Sequence, residues 1–208
     1  MPQPAFLRWT GIALMGGGLL TILINVGMTP FLPQHASLEV TAASSIFPWR
    51  QGASGVAVIL TLLGSVGLYA WQAEKAGKFG AAAFVVAFTG TALALCIEWT
   101  ETFLVRDLAA TAPEALHALD TRHGLGLYDL GALISLGIFA LGWIMLAAST
   151  LRLGLARWGA WILIAGFFLN PILGGITHGN LVALIVGACI PGIGWLLLGN
   201  DLRRAVSP

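Results

Sequence analysis

Two carboxylates, Glu98 and Glu101, lie three residues apart near the end of a long apolar run. Residues at this spacing share one face of a helix. Ionisable side chains are expensive at membrane depth, so they usually face a cavity or a partner. Two carboxylates this close in a poorly solvated site disfavour double ionisation. We therefore expect one of them to hold a proton, which it could donate to a substrate or use to bind a polar head group.

Other polar residues collect at the same end of the predicted helices. Counting along each helix from its basic residues, at a rise of about 1.5 Å per residue, places these polar residues in the outer leaflet. We predict an outward-facing pocket there, with catalytic residues Glu98, Glu101 and Asp129 and ligand-binding residues Asn25, Trp49, Arg50, Trp99, Asn170 and His178. The two tryptophans are expected to form an aromatic wall of this pocket.

A purely structural role is the alternative for each of these residues. Glu98 paired with Arg50, or Glu101 paired with Arg106, would stabilise the bundle without chemistry. Asp129 opens a predicted helix, where the helix dipole favours a carboxylate. Asn170 could satisfy backbone groups that are freed by the proline after it. His178 could be a polar turn residue.

One motif could bind a metal ion. His117, Asp120 and His123 recur every three residues in a short predicted helix, and imidazole and carboxylate groups are zinc ligands. This spacing is not an established zinc signature, however, and the two histidines lie about 120° apart on the helical wheel. A solvated helix face is the favoured interpretation, and we predict neither a metal nor another cofactor.

The composition indicates an all-α integral membrane protein. The chain has 208 residues, of which 58% are hydrophobic and 9% charged, with a mean hydropathy of +0.89. In soluble domains about a quarter of the residues are charged. Because about 20 apolar residues span a bilayer as a helix, we predict one integral membrane domain over 1–208, a bundle of six transmembrane helices at about 6–28, 52–73, 79–104, 127–149, 158–174 and 180–199.

The distribution of Lys and Arg predicts the orientation of this bundle. One side of the six-span scheme holds Arg8, Lys75, Lys78, Arg152, Arg157, Arg203 and Arg204, and the other side holds Arg50, Arg106 and Arg122. Basic residues concentrate on the cytoplasmic side, so both termini are expected inside, in a bacterial cytoplasmic (inner) membrane. A net charge of +1 without a dense basic cluster gives no reason to expect a nucleic-acid partner.

Three predicted spans begin with a basic residue, an aromatic residue and a glycine: Arg8-Trp9-Thr10-Gly11, Lys78-Phe79-Gly80 and Arg157-Trp158-Gly159. Such segments anchor a helix at the membrane interface. Two interpretations stay open, namely ordinary anchors of similar composition and a threefold repeat of helical hairpins.

The two longest loops, 29–49 and 105–126, are predicted to lie outside. Prolines in the first loop favour irregular backbone. In the second, Thr111-Ala112-Pro113-Glu114 has the spacing of a capping box and a proline suited to a helix start, which predicts a short interfacial helix at about 113–123.

The stretch Leu68-Tyr69-Ala70-Trp71-Gln72-Ala73-Glu74-Lys75-Ala76-Gly77-Lys78-Phe79-Gly80, with the apolar run that follows it, resembles a group of small uncharacterised bacterial six-span membrane proteins. The likeness extends to Leu151 through Gly159 and covers the spans rather than the loops. The resemblance implies the six-span architecture, and it carries no activity.

Three functions are compatible with these patterns. The first is binding or transport of a small amphipathic or lipid-like ligand in the outer-leaflet pocket, with membrane lipids as further partners. The second is an intramembrane isomerase or cyclase of isoprenoid or lipid substrates, in which Glu98 donates a proton and Asp129 or Glu101 is the base. The third is an accessory subunit of a larger membrane complex, and a homo-oligomer is also compatible with the composition.

Overall fold

The computed structural model describes residues 3–34, 36–121, 124, 126–176 and 180–205, and it contains helices and no strand over these residues. The predicted all-α class is therefore confirmed. The helices are α1 (Pro4–Gly27), a 3-10 turn (Thr29–Phe31), α2 (Leu38–Ala43), α3 (Phe47–Thr100), a π-helical turn (Glu101–Val105), α4 (Arg106–Thr111), α5 (Pro113–Thr121), α6 (Leu127–Arg152), α7 (Arg157–Ile176) and α8 (Leu181–Arg204).

Four helical stretches are long and apolar enough to cross a membrane: Pro4–Phe31, Phe47–Thr111, Leu127–Arg152 and Leu181–Arg204. Arg157–Leu173 is a shorter apolar helix. Only 22% to 33% of each long apolar window is buried inside the protein, so most of these side chains face outward. Soluble monomers rarely expose large contiguous apolar surfaces, and this surface suits a lipid environment.

Helix α3 is a helical hairpin that reverses at Gly77. This glycine has φ 57° and ψ −158°, and residues with a Cβ rarely adopt such a positive φ. The arms 47–76 and 78–100 run antiparallel, because the rings of Tyr69 and Phe84 stack at 4.5 Å and Gln51 at the far end hydrogen-bonds to Glu101. The reversal falls within the turn that the sequence predicts between its second and third spans.

Glycines let neighbouring helices approach closely. A Cβ added at Gly11 of α1 would lie 2.8 Å from the carbonyl oxygen of Gly199 in α8, and one at Gly64 of α3 would lie 2.5 Å from the Leu14 Cβ. Helix α6 packs on the second arm of α3, where a Cβ at Gly142 would collide with the backbone of Ala87. Small residues at such positions are typical of helix packing in membranes.

Four aromatic side chains form the centre of the bundle between α6, α7 and α8. Trp195 contacts Phe139 at 6.0 Å, Trp143 at 5.4 Å and Phe167 at 5.9 Å between ring centroids. The Trp143 Nε1 donates a hydrogen bond of 3.0 Å to the Thr91 Oγ1. This bond connects α6 to the second arm of α3.

The segment 29–49 is more regular than the sequence predicts. Pro30 lies in the first turn of the 3-10 turn, and Pro48 lies in the first turn of α3. Proline suits a first helical turn because its missing N–H would have no intrahelical partner there. The prediction of irregular backbone is wrong at these positions, and α3 begins at Phe47, before the predicted start of the second span at 52.

The short helix predicted at 113–123 is present as α5, which begins at Pro113 and ends at Thr121; positions 122 and 123 lie outside the described residues. The predicted capping role of Thr111 is wrong. Its hydroxyl donates 2.8 Å back to the Asp107 carbonyl oxygen within α4, so Ala112 is the residue that precedes α5.

Gly142→Ala should destabilise the protein, because the new Cβ would overlap the Ala87 backbone and overpacking costs about 1–3 kcal/mol. The control is Gly131→Ala in the same helix, where an added Cβ meets nothing within 4 Å and alanine favours the helix by up to about 1 kcal/mol. Thermal unfolding in detergent should show a lower Tm for Gly142→Ala only. Equal Tm values for the two variants would contradict the packing of α6 on α3.

Candidate functional site

A cavity of about 360 Å³ lies among α1, α3, α6, α7 and α8. Ligand pockets typically have volumes of about 300–1,000 Å³. Four of the residues predicted to form the site line this cavity: Asn25, Arg50, Glu98 and Asn170. The structure thus brings together polar side chains from three helices that are distant in sequence.

The cavity begins at one end of the bundle and extends inward along α3. Asn25 lies in the last turn of α1 and Arg50 in the first turns of α3, so both mark the same end. Thr61 also lines the cavity, and the helical rise from Arg50 to Thr61 is about 16 Å. Phe139 and Trp195 line it as well, so the cavity combines polar groups with an aromatic surface.

Glu98 presents an open hydrogen-bonding position. Its Oε2 is buried and has no hydrogen-bond partner among the residues that the structure describes. Glu98 also borders a second, smaller cavity of about 190 Å³ within the α3 hairpin. Gly55 faces it across the hairpin, where an added Cβ would lie 3.9 Å from the Glu98 Cβ. A buried carboxylate oxygen without a partner is costly, and a ligand or a water molecule that donates a hydrogen bond would remove this cost.

Glu101 is held in a hydrogen-bonded network. The Gln51 Nε2 donates to the Glu101 Oε2, and the Arg50 Nη1 donates to the Gln51 Oε1. The Tyr128 hydroxyl donates to the Glu101 Oε1 at 3.4 Å. The network joins the start of α3 to the π-helical turn after its second arm and to the start of α6, so it gives Glu101 a structural role.

Gln51 and Tyr128 are site residues that the sequence does not reveal. Gln51 is buried next to Arg50 at the start of α3. Its polar side chain at the start of an apolar run is the sequence feature that could have marked it as a site residue. Arg50 also donates from its Nε to the Thr29 Oγ1 at 3.3 Å. The predicted pairing of Glu101 with Arg106 is wrong, because Arg106 donates from its Nη1 to the Ala42 carbonyl oxygen at 2.7 Å.

The two tryptophans do not form one wall of the cavity. Trp49 is 73% exposed and Trp99 is 63% exposed. Trp99 packs on Phe103 at 4.7 Å and borders the smaller cavity. Adjacent residues of a helix point about 100° apart, so Trp99 cannot share the direction of Glu98. Trp195 supplies the aromatic surface instead.

Trp195 offers an open donor in the same cavity as Glu98. It is 5% exposed, and its Nε1 has no partner within the described part of the chain. Indole nitrogens are donors only. A donor and an acceptor that lack partners therefore belong to residues of one cavity.

Asp129 is not among the residues that line this cavity. The Asp129 Oδ2 accepts a 3.0 Å hydrogen bond from the Gly126 N–H and caps α6, as its structural interpretation predicts. His178 lies outside the described residues. If Asp129 is the catalytic base, it would have to act from its position at the start of α6, where it caps the helix.

The residues of the candidate metal motif connect α5 to α2. The His117 Nδ1 lies 3.1 Å from the Glu39 Oε1, and the Asp120 Oδ2 accepts a 3.4 Å hydrogen bond from the Leu38 N–H. His123 lies outside the described residues. Over the described ranges, no group of three or more His, Cys, Asp or Glu side chains is placed to hold a metal ion.

We call α2 and α5, together with α4 and the 3-10 turn, the cap. Its apolar contacts centre on the buried residues Ala42, Phe47, Val105 and Leu116. The hydrogen bond from its own backbone N–H is the largest cause that lowers the pKa of Glu39. Hydrogen bonds from Ser37 and His117, and attraction from the His117 imidazole, lower this pKa further. Since Phe47 and Val105 belong to the outer ends of the hairpin region, the cap is attached at the cavity end of the bundle.

No protein family, curated protein or solved structure matches this chain in comparisons of sequence and fold. The resemblance to six-span bacterial proteins therefore stays a prediction. The function has to be argued from the cavity itself.

Gln51→Leu should destabilise the hairpin, because it removes the partner of Glu101 and of Arg50. Leaving a buried polar group without a partner costs about 1–3 kcal/mol, and more for a charged one. The control is Gln34→Leu, since Gln34 is exposed and bonds only to backbone carbonyl groups in the cap. Chemical denaturation in detergent should separate the two variants, and equal stability would contradict the network.

Proposed function

We propose that this chain is a six-span membrane protein that binds a small amphipathic ligand in the Glu98 cavity, as a binding or transport protein. The observation that carries the proposal is the buried Glu98 Oε2, which no described residue pairs. It belongs to a cavity of ligand size whose lining combines amide, guanidinium and hydroxyl groups with aliphatic and aromatic side chains. A polar head that donates a hydrogen bond fits this acceptor.

Six spans follow if each arm of the α3 hairpin crosses the bilayer once. The 20 residues of α7 have a helical length of about 30 Å, which matches the hydrocarbon core. The described basic residues that the sequence assigns to the cytoplasmic side lie at helix ends or at the hairpin turn: Arg8, Lys75, Lys78, Arg152, Arg157, Arg203 and Arg204. By the distribution of basic charge, that end is cytoplasmic and the cavity faces outward, in the bacterial cytoplasmic membrane.

Binding is favoured over acid–base catalysis because neither residue predicted as the base, Glu101 or Asp129, lines the cavity with Glu98. Glu101 accepts hydrogen bonds from Gln51 and Tyr128, and Asp129 caps α6. A general base must be within hydrogen-bond reach of the proton that it removes. We assign the partnerless Glu98 Oε2 as the acceptor for a bound head group.

The orientation can be tested with single cysteines in a background in which Cys96 and Cys189 are replaced by serine. Lys75→Cys at the hairpin turn and Glu114→Cys on α5 are both at exposed positions. In spheroplasts, a membrane-impermeant maleimide should label Glu114→Cys and should reach Lys75→Cys only after permeabilisation. Labelling of both from the same side would contradict the proposed crossing of the second arm.

Binding can be tested with 1-dodecanol and dodecanoate, two probes with the same chain and different heads. We expect 1-dodecanol to bind protein in phosphatidylcholine nanodiscs. At a pH at which Glu98 is ionised, dodecanoate should bind at least about tenfold more weakly, because the two carboxylates repel each other and the Arg50 guanidinium is already bonded to Gln51 and Thr29. Glu98→Leu should weaken 1-dodecanol binding about ten- to a hundredfold, since a hydrogen bond to a charged group contributes about 1.5–3 kcal/mol. Native mass spectrometry would measure the bound fraction.

The matched control is Glu114→Leu, which removes an exposed carboxylate of α5 and should leave binding unchanged. Both variants should elute as wild-type protein in size-exclusion chromatography. Binding of 1-dodecanol that survives Glu98→Leu, or that is absent from the wild type, would overturn the proposed site.

A further inference from the structure

An apolar groove of about 500 Å³ lies beside the Glu98 cavity, between α6 and α7. It is lined by Leu133 and Gly137 of α6, Phe167 and Pro171 of α7, and Leu184 of α8. All of these residues are apolar. The groove therefore suits a hydrocarbon chain rather than a polar molecule.

The groove and the cavity adjoin each other. Leu136, Phe139 and Asn170 line both of them, so only side chains stand between the two spaces. Asn170 is the polar residue at the boundary, and it packs against Gly187, where a Cβ would lie 2.8 Å from the Asn170 Oδ1. A molecule with a polar head and one chain could occupy both spaces at once.

The outer side of the groove faces the region where lipid is expected. Leu133 is 60% exposed and Leu136 is 50% exposed. A Cβ added at Gly137 would meet nothing within 4 Å, which shows that α7 does not pack against this part of α6. The groove thus forms a lateral opening in the bundle.

We propose that the cavity binds a single-chain amphiphile with an uncharged hydroxylated head, and that its chain lies in the groove between α6 and α7 and enters sideways from the outer leaflet. This inference rests on the proposed function and adds the ligand class and the route. A hydroxyl group both donates and accepts hydrogen bonds, so a hydroxylated head can donate to the Glu98 Oε2, which lacks a partner among the described residues. An ionised carboxylate head can only accept.

The smaller cavity at Trp99 and Phe103 is a poorer place for the chain. Its volume is about 190 Å³, and Glu98 is the one residue that both cavities share. The α6–α7 groove has the larger volume and a broader connection to the polar residues. The two locations predict different contacts for the end of the chain.

Photo-crosslinking tests the location directly. The probe is 1-dodecanol with a diazirine on the last carbon of its chain, added to the full-length protein in phosphatidylcholine nanodiscs and competed with excess 1-dodecanol. We expect competed crosslinks on α6, α7 and the first turn of α8, around Leu133, Pro171 and Leu184. Competed crosslinks at Trp99 and Phe103 would overturn the groove and leave the proposed function intact.

Two variants of α6 provide a matched pair. An added Cβ at Gly131 or at Gly137 meets nothing within 4 Å, but only Gly137 lines the groove. Gly137→Trp should reduce the competed crosslinking about tenfold, and Gly131→Trp should leave it unchanged. Equal crosslinking in the two variants would overturn the inference.

The same probe separates failure of this inference from failure of the proposed function. Glu98→Leu removes the head-group acceptor and should abolish competed crosslinking in the groove. If the wild type shows no competed crosslink and binds no 1-dodecanol, the proposed function fails with the inference. If 1-dodecanol binds in a Glu98-dependent manner while Gly137→Trp has no effect, only the groove fails.

Discussion

Polar groups inside an apolar bundle need partners, because lipid offers none, and this constraint organises the structure. The Trp143 Nε1 is satisfied by Thr91, and the Arg50, Gln51 and Glu101 network closes the outer end of the α3 hairpin. Within the described residues, the exceptions include the Glu98 Oε2 and the Trp195 Nε1, and both residues line one cavity. The Glu39 Oε2 in the cap and the Gln72 Nε2 near the hairpin turn also lack described partners, but neither residue lines this cavity. The positions at Glu98 and Trp195 are therefore the ones open to a molecule bound there.

Glycine decides where the bundle is tight and where it is open. At Gly11 and Gly142 the backbone of a neighbouring helix occupies the space of a Cβ, so α1 is fixed against α8, and α6 against α3. At Gly137 the same absence of a side chain faces open space. Small residues permit close contact only where a partner helix is present. Between α6 and α7 they leave room instead, and the apolar groove is the result.

Much of this architecture is readable from the sequence, since apolar runs of membrane length define helices whatever their partners. The placement of Asn25, Arg50, Glu98 and Asn170 at one cavity follows from counting helical rise, because antiparallel helices bring equivalent heights together. The direction in which each side chain points around its helix was not predictable in the same way. It depends on tertiary packing, so the expected wall of Trp49 and Trp99 lies elsewhere and Trp195, Gln51 and Tyr128 were missed. The prolines at 30 and 48 suited a loop or a first helical turn equally, and packing of the cap selected the turn.

The cap bears on the proposed lateral route. Phe47 and Val105, at the outer end of the hairpin region, are buried in the apolar core of the cap, and Arg106 ties α4 to the Ala42 carbonyl oxygen of α2. Arg50, which lines the cavity, is bonded to Thr29 of the same cap. Entry through the cap would disturb these contacts, whereas the groove between α6 and α7 is open at Gly137, where an added Cβ would meet nothing within 4 Å. For the proposed ligand, moving an apolar chain from lipid into the groove costs little, because lipid and groove are similarly apolar. Under this proposal, the hydrogen bond between the head group and Glu98 determines whether the ligand stays.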